Sequence, residues 1–176
     1  MIIFISGGVR SGKSSLAERM AIEYYEQRQS PGLYYVATTK RSDDAEMAER
    51  IKLHRASRSS LWTTIEEPYR IDEALVSLPD SAVVLIDCLT VWSSNVLFSE
   101  KKNAETMVGR LAAVKEIADA KSLAVVVVSN DLNEELPIED EGVQRYVASL
   151  EAVHKYVAAQ ADRAIQVVAG CPAEWK

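Results

Sequence analysis

The segment Gly7-Gly8-Val9-Arg10-Ser11-Gly12-Lys13-Ser14 fits G-x-x-x-x-G-K-[ST] in full. That spacing marks a loop that cradles the phosphate chain of a nucleotide. Each residue type has a physical reason to be there. Glycines let the backbone curl so that successive N–H groups face phosphate oxygens. A helix that starts on the loop turns its positive end toward the same anion. Lys13 is placed to reach the β- and γ-phosphates of a triphosphate, and Ser14 to set its hydroxyl on Mg²⁺. Such a loop needs a carboxylate near the metal, at the end of a neighbouring buried strand. The apolar run "AVVLI" ends on Asp87 and supplies one. Cys88, next in the chain, reads as a packing residue. The loop alone names neither the base nor the group that is modified.

A second cluster is cationic, "ERIKLHRASRSSLWTTIEEP". Arg50 and His54 are four residues apart and so share a helix face. Lys52, Arg55 and Arg58 are close by. Cations around an imidazole favour its neutral form, which is the nucleophilic one. The same cations would welcome a triphosphate. On the residues alone, His54 stands between a packed or surface side chain and a nucleophile. Between Asp87 and the C-terminus the arginines are Arg110, Arg145 and Arg163, too scattered for an arginine-rich lid. That argues against the layout of a nucleoside monophosphate kinase. Glu66 could contact a base or ribose, or end its strand in solvent. Trp62 packs at a strand or borders the site.

The elements that would carry these residues alternate. Ile2–Ser6 is a short β-branched run, followed by the glycine loop and a helical pattern in "SSLAERMAIEYYEQR". "SPG" ends that helix, and Leu33–Ala37 reads as a second strand. "DDAEMAERIKLHRAS" has the acids of a helix start and places Met47, Ile51 and His54 on one face. "LWTTI" reads as a strand, "PYRIDEALVSL" as a short helix with Pro68 near its start, and Ala82–Ile86 as a strand. A helix over 104–121, a strand in "SLAVVVVSN", a helix over 140–160 and a last strand in "AIQVVAG" complete the chain. The strand runs are continuously apolar, as expected for a mostly parallel sheet covered on both faces. The expectation is one α/β domain over residues 1–176, a three-layer fold of the P-loop NTPase type.

Composition narrows the partners. Residues are 48% hydrophobic and 26% charged, with a net charge of −6. No dense basic stripe exists, so nucleic acid is not an expected partner. Cys88 and Cys171 are too few for a disulfide framework or a zinc site, which fits a reducing, cytoplasmic setting. "MIIFISGG" reads as a first strand rather than a signal peptide, and no run approaches the ~20 apolar residues of a membrane helix.

Beyond the loop, "GGVRSGKSSLAE", "YYVAT", "DDAEMAERIKLHRASRSSLWTTIEEP", "LIDCLTVWSSNVL" and "VVAGCP" occur in one order along most of the chain. In these motifs the chain resembles the bifunctional adenosylcobinamide kinase / adenosylcobinamide-phosphate guanylyltransferase family of cobalamin assembly. The R-I-x-x-H-x-x-x-R-x-x-x-W-x-T-x-E spacing is the most specific element. The resemblance implies two reactions at one site. A nucleoside triphosphate (ATP or GTP) phosphorylates the aminopropanol hydroxyl of adenosylcobinamide. GTP then donates GMP to that phosphate through a guanylyl-histidine, which falls on His54. It also implies a homo-oligomer, a trimer. The candidate site then comprises Mg²⁺ at Ser14 and Asp87 and nucleotide contacts from the glycine loop, Arg50, Arg55, Arg58 and Glu66.

The match departs from the family pattern in one region. The N-E-V-G-x-G-I-V-P loop becomes Asn130-Asp131-Leu132-Asn133-Glu134-Glu135-Leu136-Pro137, without glycines. In the next helix an Arg-Asp pair becomes Val147-Ala148, a glycine becomes Glu151, and Asn-Gln becomes His154-Lys155. The nucleotide half is intact, so a diverged relative acting on another acceptor stays open as the alternative. His154 reads as a solvated residue on a helix face, with a functional replacement in the altered region as the alternative.

Overall fold

The computed structural model describes residues 1–40, 60–131 and 140–176. Its strands are β1 (Ile2–Gly7), β2 (Leu33–Ala37), β3 (Trp62–Glu66), β4 (Val83–Asp87), β5 (Ala124–Asn130), β6 (Arg163–Val168) and β7 (Cys171–Glu174). They form one sheet in the order β3-β2-β4-β5-β1-β6-β7. The first six are parallel, and β7 returns antiparallel beside β6.

The described helices are α1 (Lys13–Gln27), α2 (Ile71–Val76), α3 (Leu89–Ser94), α4 (Ala104–Ala120) and α5 (Glu141–Gln160). A π-helical turn, Asn95–Ser99, continues α3. Successive strand residues alternate between two apolar layers. Ile3, Ile5, Leu85 and Val126 pack with Ala17, Met20 and Ala21 of α1. Phe4, Ile86, Val125 and Val127 pack on the other face with α2–α5, through residues such as Leu75, Trp92, Leu111 and Val153. Both faces are covered, which is why the strands carry no polar alternation. The α/β three-layer architecture is therefore as expected.

Strand order sets the position of the site. After β1 the chain crosses to β2 on one side; after β5 it crosses to β6 on the other. The carboxyl ends of β1 and β5, paired Gly7 to Asn130, thus mark the point where connections diverge. In open α/β sheets a crevice forms there.

Some expectations need correction. The short helix begins at Ile71 rather than near Pro68, because the Glu67 carboxylate accepts the N–H groups of Tyr69 and Arg70 in a separate turn (2.9 and 2.8 Å). The segment after Asp87, unassigned from sequence, is α3 and the π-helical turn. The strand expected in "AIQVVAG" ends at Val168, and a further strand, β7, follows a two-residue turn with positive φ at Ala169 and Gly170. The helix expected at 43–57 lies outside the described residues.

Candidate active site

β1 ends on Gly7, wedged against β6. A Cβ there would sit 2.5 Å from the Val167 carbonyl oxygen, so only glycine permits this approach. Gly8–Ser11 closes as a tight turn, Ser11 donating its N–H to the Gly8 carbonyl (3.2 Å). The β6–β7 turn braces the loop from outside, Gly170 donating its N–H to the Ser11 carbonyl (2.9 Å). Gly12 takes φ 91° at the start of α1, a left-handed conformation that glycine adopts freely. Among the described residues no side chain caps α1, so its first N–H groups and positive end are left for an anion.

Lys13 is buried, and its ammonium folds back to donate to the Gly8 carbonyl (3.1 Å). Arg10, Ser11, Gly12, Lys13, Ser14 and Ser15 line a concavity of about 300 Å³. That is the low end for small-molecule sites and suits a phosphate chain more than a whole nucleotide. The buried Ser11 hydroxyl has no hydrogen-bond partner among the described residues. A buried polar atom without a partner is costly, and a phosphate oxygen would satisfy it.

Asp87 ends β4 as expected, but β4 is not adjacent to β1. β5 lies between them, with Val128 in register with both Asp87 and Ile5. Two strand spacings put Asp87 about 10 Å across the crevice from the end of β1. The Tyr35 hydroxyl donates to one Asp87 oxygen (2.7 Å). Thr38 fixes the backbone: its N–H donates to the Asp87 carbonyl (3.1 Å), and its hydroxyl accepts the Cys88 N–H (2.8 Å). The Asp87–Cys88 peptide is cis. Burial, reinforced by the Asp87 charge, pushes the Cys88 thiol up to about 11, so it stays protonated and packs, as expected.

The donors suit Mg²⁺. A serine hydroxyl and one carboxylate are hard oxygen ligands, and Mg²⁺ completes its shell with phosphate oxygens and water rather than a protein cage. Among the described residues no group of three or more His, Cys, Asp and Glu side chains could hold a metal alone.

His54, Arg50, Arg55 and Arg58 lie outside the described residues. Glu66 ends β3, the outermost strand, in register with Ala37, which pairs in turn with Asp87. That is about 10 Å beyond Asp87, on the side away from the loop. Trp62 packs edge-on against Tyr35, ring centroids 6.0 Å apart.

His154 is not a solvated helix-face residue. Its Nε2 lies 2.6 Å from the buried Ser129 hydroxyl, and its ring tilts against Phe4 at 5.4 Å. Ser129 meets the Thr90 hydroxyl at 3.0 Å, which accepts the Asn130 N–H at 2.7 Å. Burial lowers the pKa of His154, against an opposing pull from Asp131. This chain ties α3, β5 and α5 together where β5 meets Gly7. Sequence reasoning passed over Thr38, Thr90 and Ser129. Their one signal is a hydroxyl residue at or just past the end of an apolar strand.

A family model described as cobinamide kinase / cobinamide phosphate guanyltransferase matches residues 3–175. The chain is 34% identical over 169 residues to a Pseudomonas aeruginosa protein called bifunctional adenosylcobalamin biosynthesis protein CobP, covering 96% of this chain and 93% of that one. It is 30% identical over 182 residues to the Escherichia coli protein called bifunctional adenosylcobalamin biosynthesis protein CobU, covering 97% of each. Among solved structures it is similar to a KaiC-like protein from the archaeon Pyrococcus horikoshii, with a TM-score of 0.50 and 12% identity. That alignment covers 94% of this chain and 71% of the other, and speaks to the fold alone. With a match that runs from β1 through the last strand, the chain belongs to the cobinamide kinase / cobinamide phosphate guanyltransferase family.

Proposed function

We propose that this chain phosphorylates adenosylcobinamide and then guanylylates the product, using one nucleotide site for both steps. The observation that carries the reading is the conjunction of a family match over residues 3–175 with a phosphate loop assembled at the divergence of β1 and β5.

In the first step the substrate hydroxyl attacks the γ-phosphorus of ATP or GTP, its proton passes to solvent, and the β–γ bridging oxygen leaves with the diphosphate. N–H groups of the loop and of the first turn of α1 hold the phosphates. Lys13 exchanges its bond to the Gly8 carbonyl for β- and γ-oxygens. Ser14 and Asp87 would hold Mg²⁺, whose chemistry is to neutralise the charge on the transferred phosphoryl group. In the second step the neutral His54 imidazole attacks the α-phosphorus of GTP and pyrophosphate leaves. A phosphate oxygen of adenosylcobinamide phosphate then attacks the same phosphorus and frees His54. Arg50, Arg55 and Arg58 stabilise the charge at the α-phosphate. Glu66 recognises the base or ribose. The reading extends to a cytoplasmic homo-oligomer, a trimer. Among the described residues no helix is long and apolar enough to cross a membrane.

Incubation of the protein with adenosylcobinamide, ATP, GTP and Mg²⁺, followed by mass analysis of the corrinoids, tests the reading. The phosphate and then the GDP-linked product should appear in order. Nucleotide turnover with an unmodified corrinoid would instead favour a relative with another acceptor.

A further inference from the structure

Gly8-Val9-Arg10-Ser11 is a tight turn whose third residue has positive φ, 59° at Arg10. Turn chemistry reserves that position for glycine or asparagine. An arginine there carries a backbone cost of roughly 1–2 kcal/mol. The turn is held in this shape from both ends, by Ser11 N–H to the Gly8 carbonyl and by Gly170 N–H to the Ser11 carbonyl. Arg10 is exposed and lines the same concavity as Lys13. It has no ion pair with a described residue. Arg19, Arg70, Arg110 and Arg163 each close on a carboxylate, and Arg28 donates to the Ser122 carbonyl; Arg145, like Arg10, has no ion pair with a described residue.

We propose that Arg10 is a catalytic cation of phosphoryl transfer, supplied by the phosphate loop itself. The inference rests on the kinase reading and deepens it. When the acceptor oxygen bonds to the γ-phosphorus and the bond to the β–γ bridging oxygen breaks, negative charge builds on the bridging and γ-oxygens. A guanidinium held by the turn beside Lys13 meets that charge as it develops. It takes the place of the arginine lid that the C-terminal half of the chain lacks. An arginine acting on that charge is worth about 10³–10⁵ in kcat in other phosphoryl-transfer enzymes.

Arg10→Gly separates this role from a structural one, since glycine relieves the positive φ while removing the cation. The expected result is a thermal midpoint equal to or above that of the wild type, with kcat for corrinoid phosphorylation down at least about 100-fold. The KM for nucleotide should stay within about threefold, because the loss falls in the transition state. Arg10→Lys should recover part of the rate. Binding of Mg²⁺ADP with and without fluoroaluminate provides a readout independent of the acceptor. Wild-type protein should bind ADP more tightly with fluoroaluminate, and Arg10→Gly should lose that gain while binding ADP alone normally. Retention of the fluoroaluminate gain in Arg10→Gly would overturn the assignment, as would a loss confined to ADP affinity or an absent gain in the wild type. If the gain depends on Arg10 but the wild type leaves the corrinoid unmodified, the assignment of the cation stands and the acceptor reading falls.

Discussion

Gly7→Ala tests how closely the phosphate loop depends on the sheet beneath it. The new Cβ would meet the Val167 carbonyl oxygen at 2.5 Å and the Ser11 hydroxyl at 2.7 Å. The hydroxyl can rotate away, but the carbonyl belongs to β6, in register with Gly7. Relief to ~3.0 Å needs a separation of about 0.5 Å or more between backbones that the sheet holds together. β1 is also bound to β5 on its other side, so movement away from β6 compresses a second ladder. Overpacking of this kind costs about 2 kcal/mol. Urea unfolding should show a midpoint lowered by about 1 M. Because the loop starts at Gly7, ADP affinity should fall about tenfold or more. Gly8→Ala is the control: nothing lies within 4 Å of a Cβ at that position, and stability should stay within about 0.5 kcal/mol of the wild type. Equal stability and ADP affinity in Gly7→Ala, or equal damage from Gly8→Ala, would refute the reasoning.

Other predictions follow from the same geometry. Asp87→Asn should fold, since an amide oxygen can still accept from the Tyr35 hydroxyl, but activity should fall about 100-fold or more and shift to higher Mg²⁺; an unchanged Mg²⁺ titration would remove Asp87 from the metal site. His154 has a folded-state pKa below its ordinary 6.5, so the unfolded chain binds the proton first. Its contribution to stability is therefore present above pH 6.5 and drains away as pH falls toward the folded value; His154→Asn should narrow the difference in urea midpoint between pH 7.5 and pH 5. Iodoacetamide at pH 7.5 should label exposed Cys171 and spare Cys88, whose thiol stays protonated; mass mapping that found Cys88 labelled first would contradict its packing role.

Much of this fold is legible in the residues, and the exceptions have physical causes. The β1–loop–α1 unit is readable because glycine, lysine and serine there follow from phosphate chemistry. Asp87 is readable because a carboxylate at the end of a buried apolar strand needs a purpose. The order of the strands is not readable: they are apolar on both faces, so nothing in the pattern states that β5 separates β1 from β4. The segment from Leu89 to Ser99 hides for the opposite reason. Trp92, Ser93, Asn95 and Val96 are all buried, so no polar face marks a helix. Asn95 finds its partners at a distance, donating to the Thr38 and Pro68 carbonyls (2.8 and 3.2 Å), while the buried Ser93 hydroxyl has none among the described residues. β7 is four exposed residues that include a proline and carries no periodic signal. His154 reads as solvated from sequence because its partners, Ser129 and Phe4, are distant in the chain and meet it only when α5 packs on the sheet.

The central claim is that one nucleotide site serves both phosphoryl and guanylyl transfer, with His54 as the carrier. The most direct test is covalent trapping with GTP labelled at the α-phosphate, in Mg²⁺ and without acceptor, followed by denaturation. A phosphoramidate is labile in acid and stable in base, and label of that kind is predicted. It should be absent from His54→Ala and Lys13→Ala and discharged by adenosylcobinamide phosphate. Protein that binds GTP tightly but takes up no label, or takes it up equally in His54→Ala, would contradict the account.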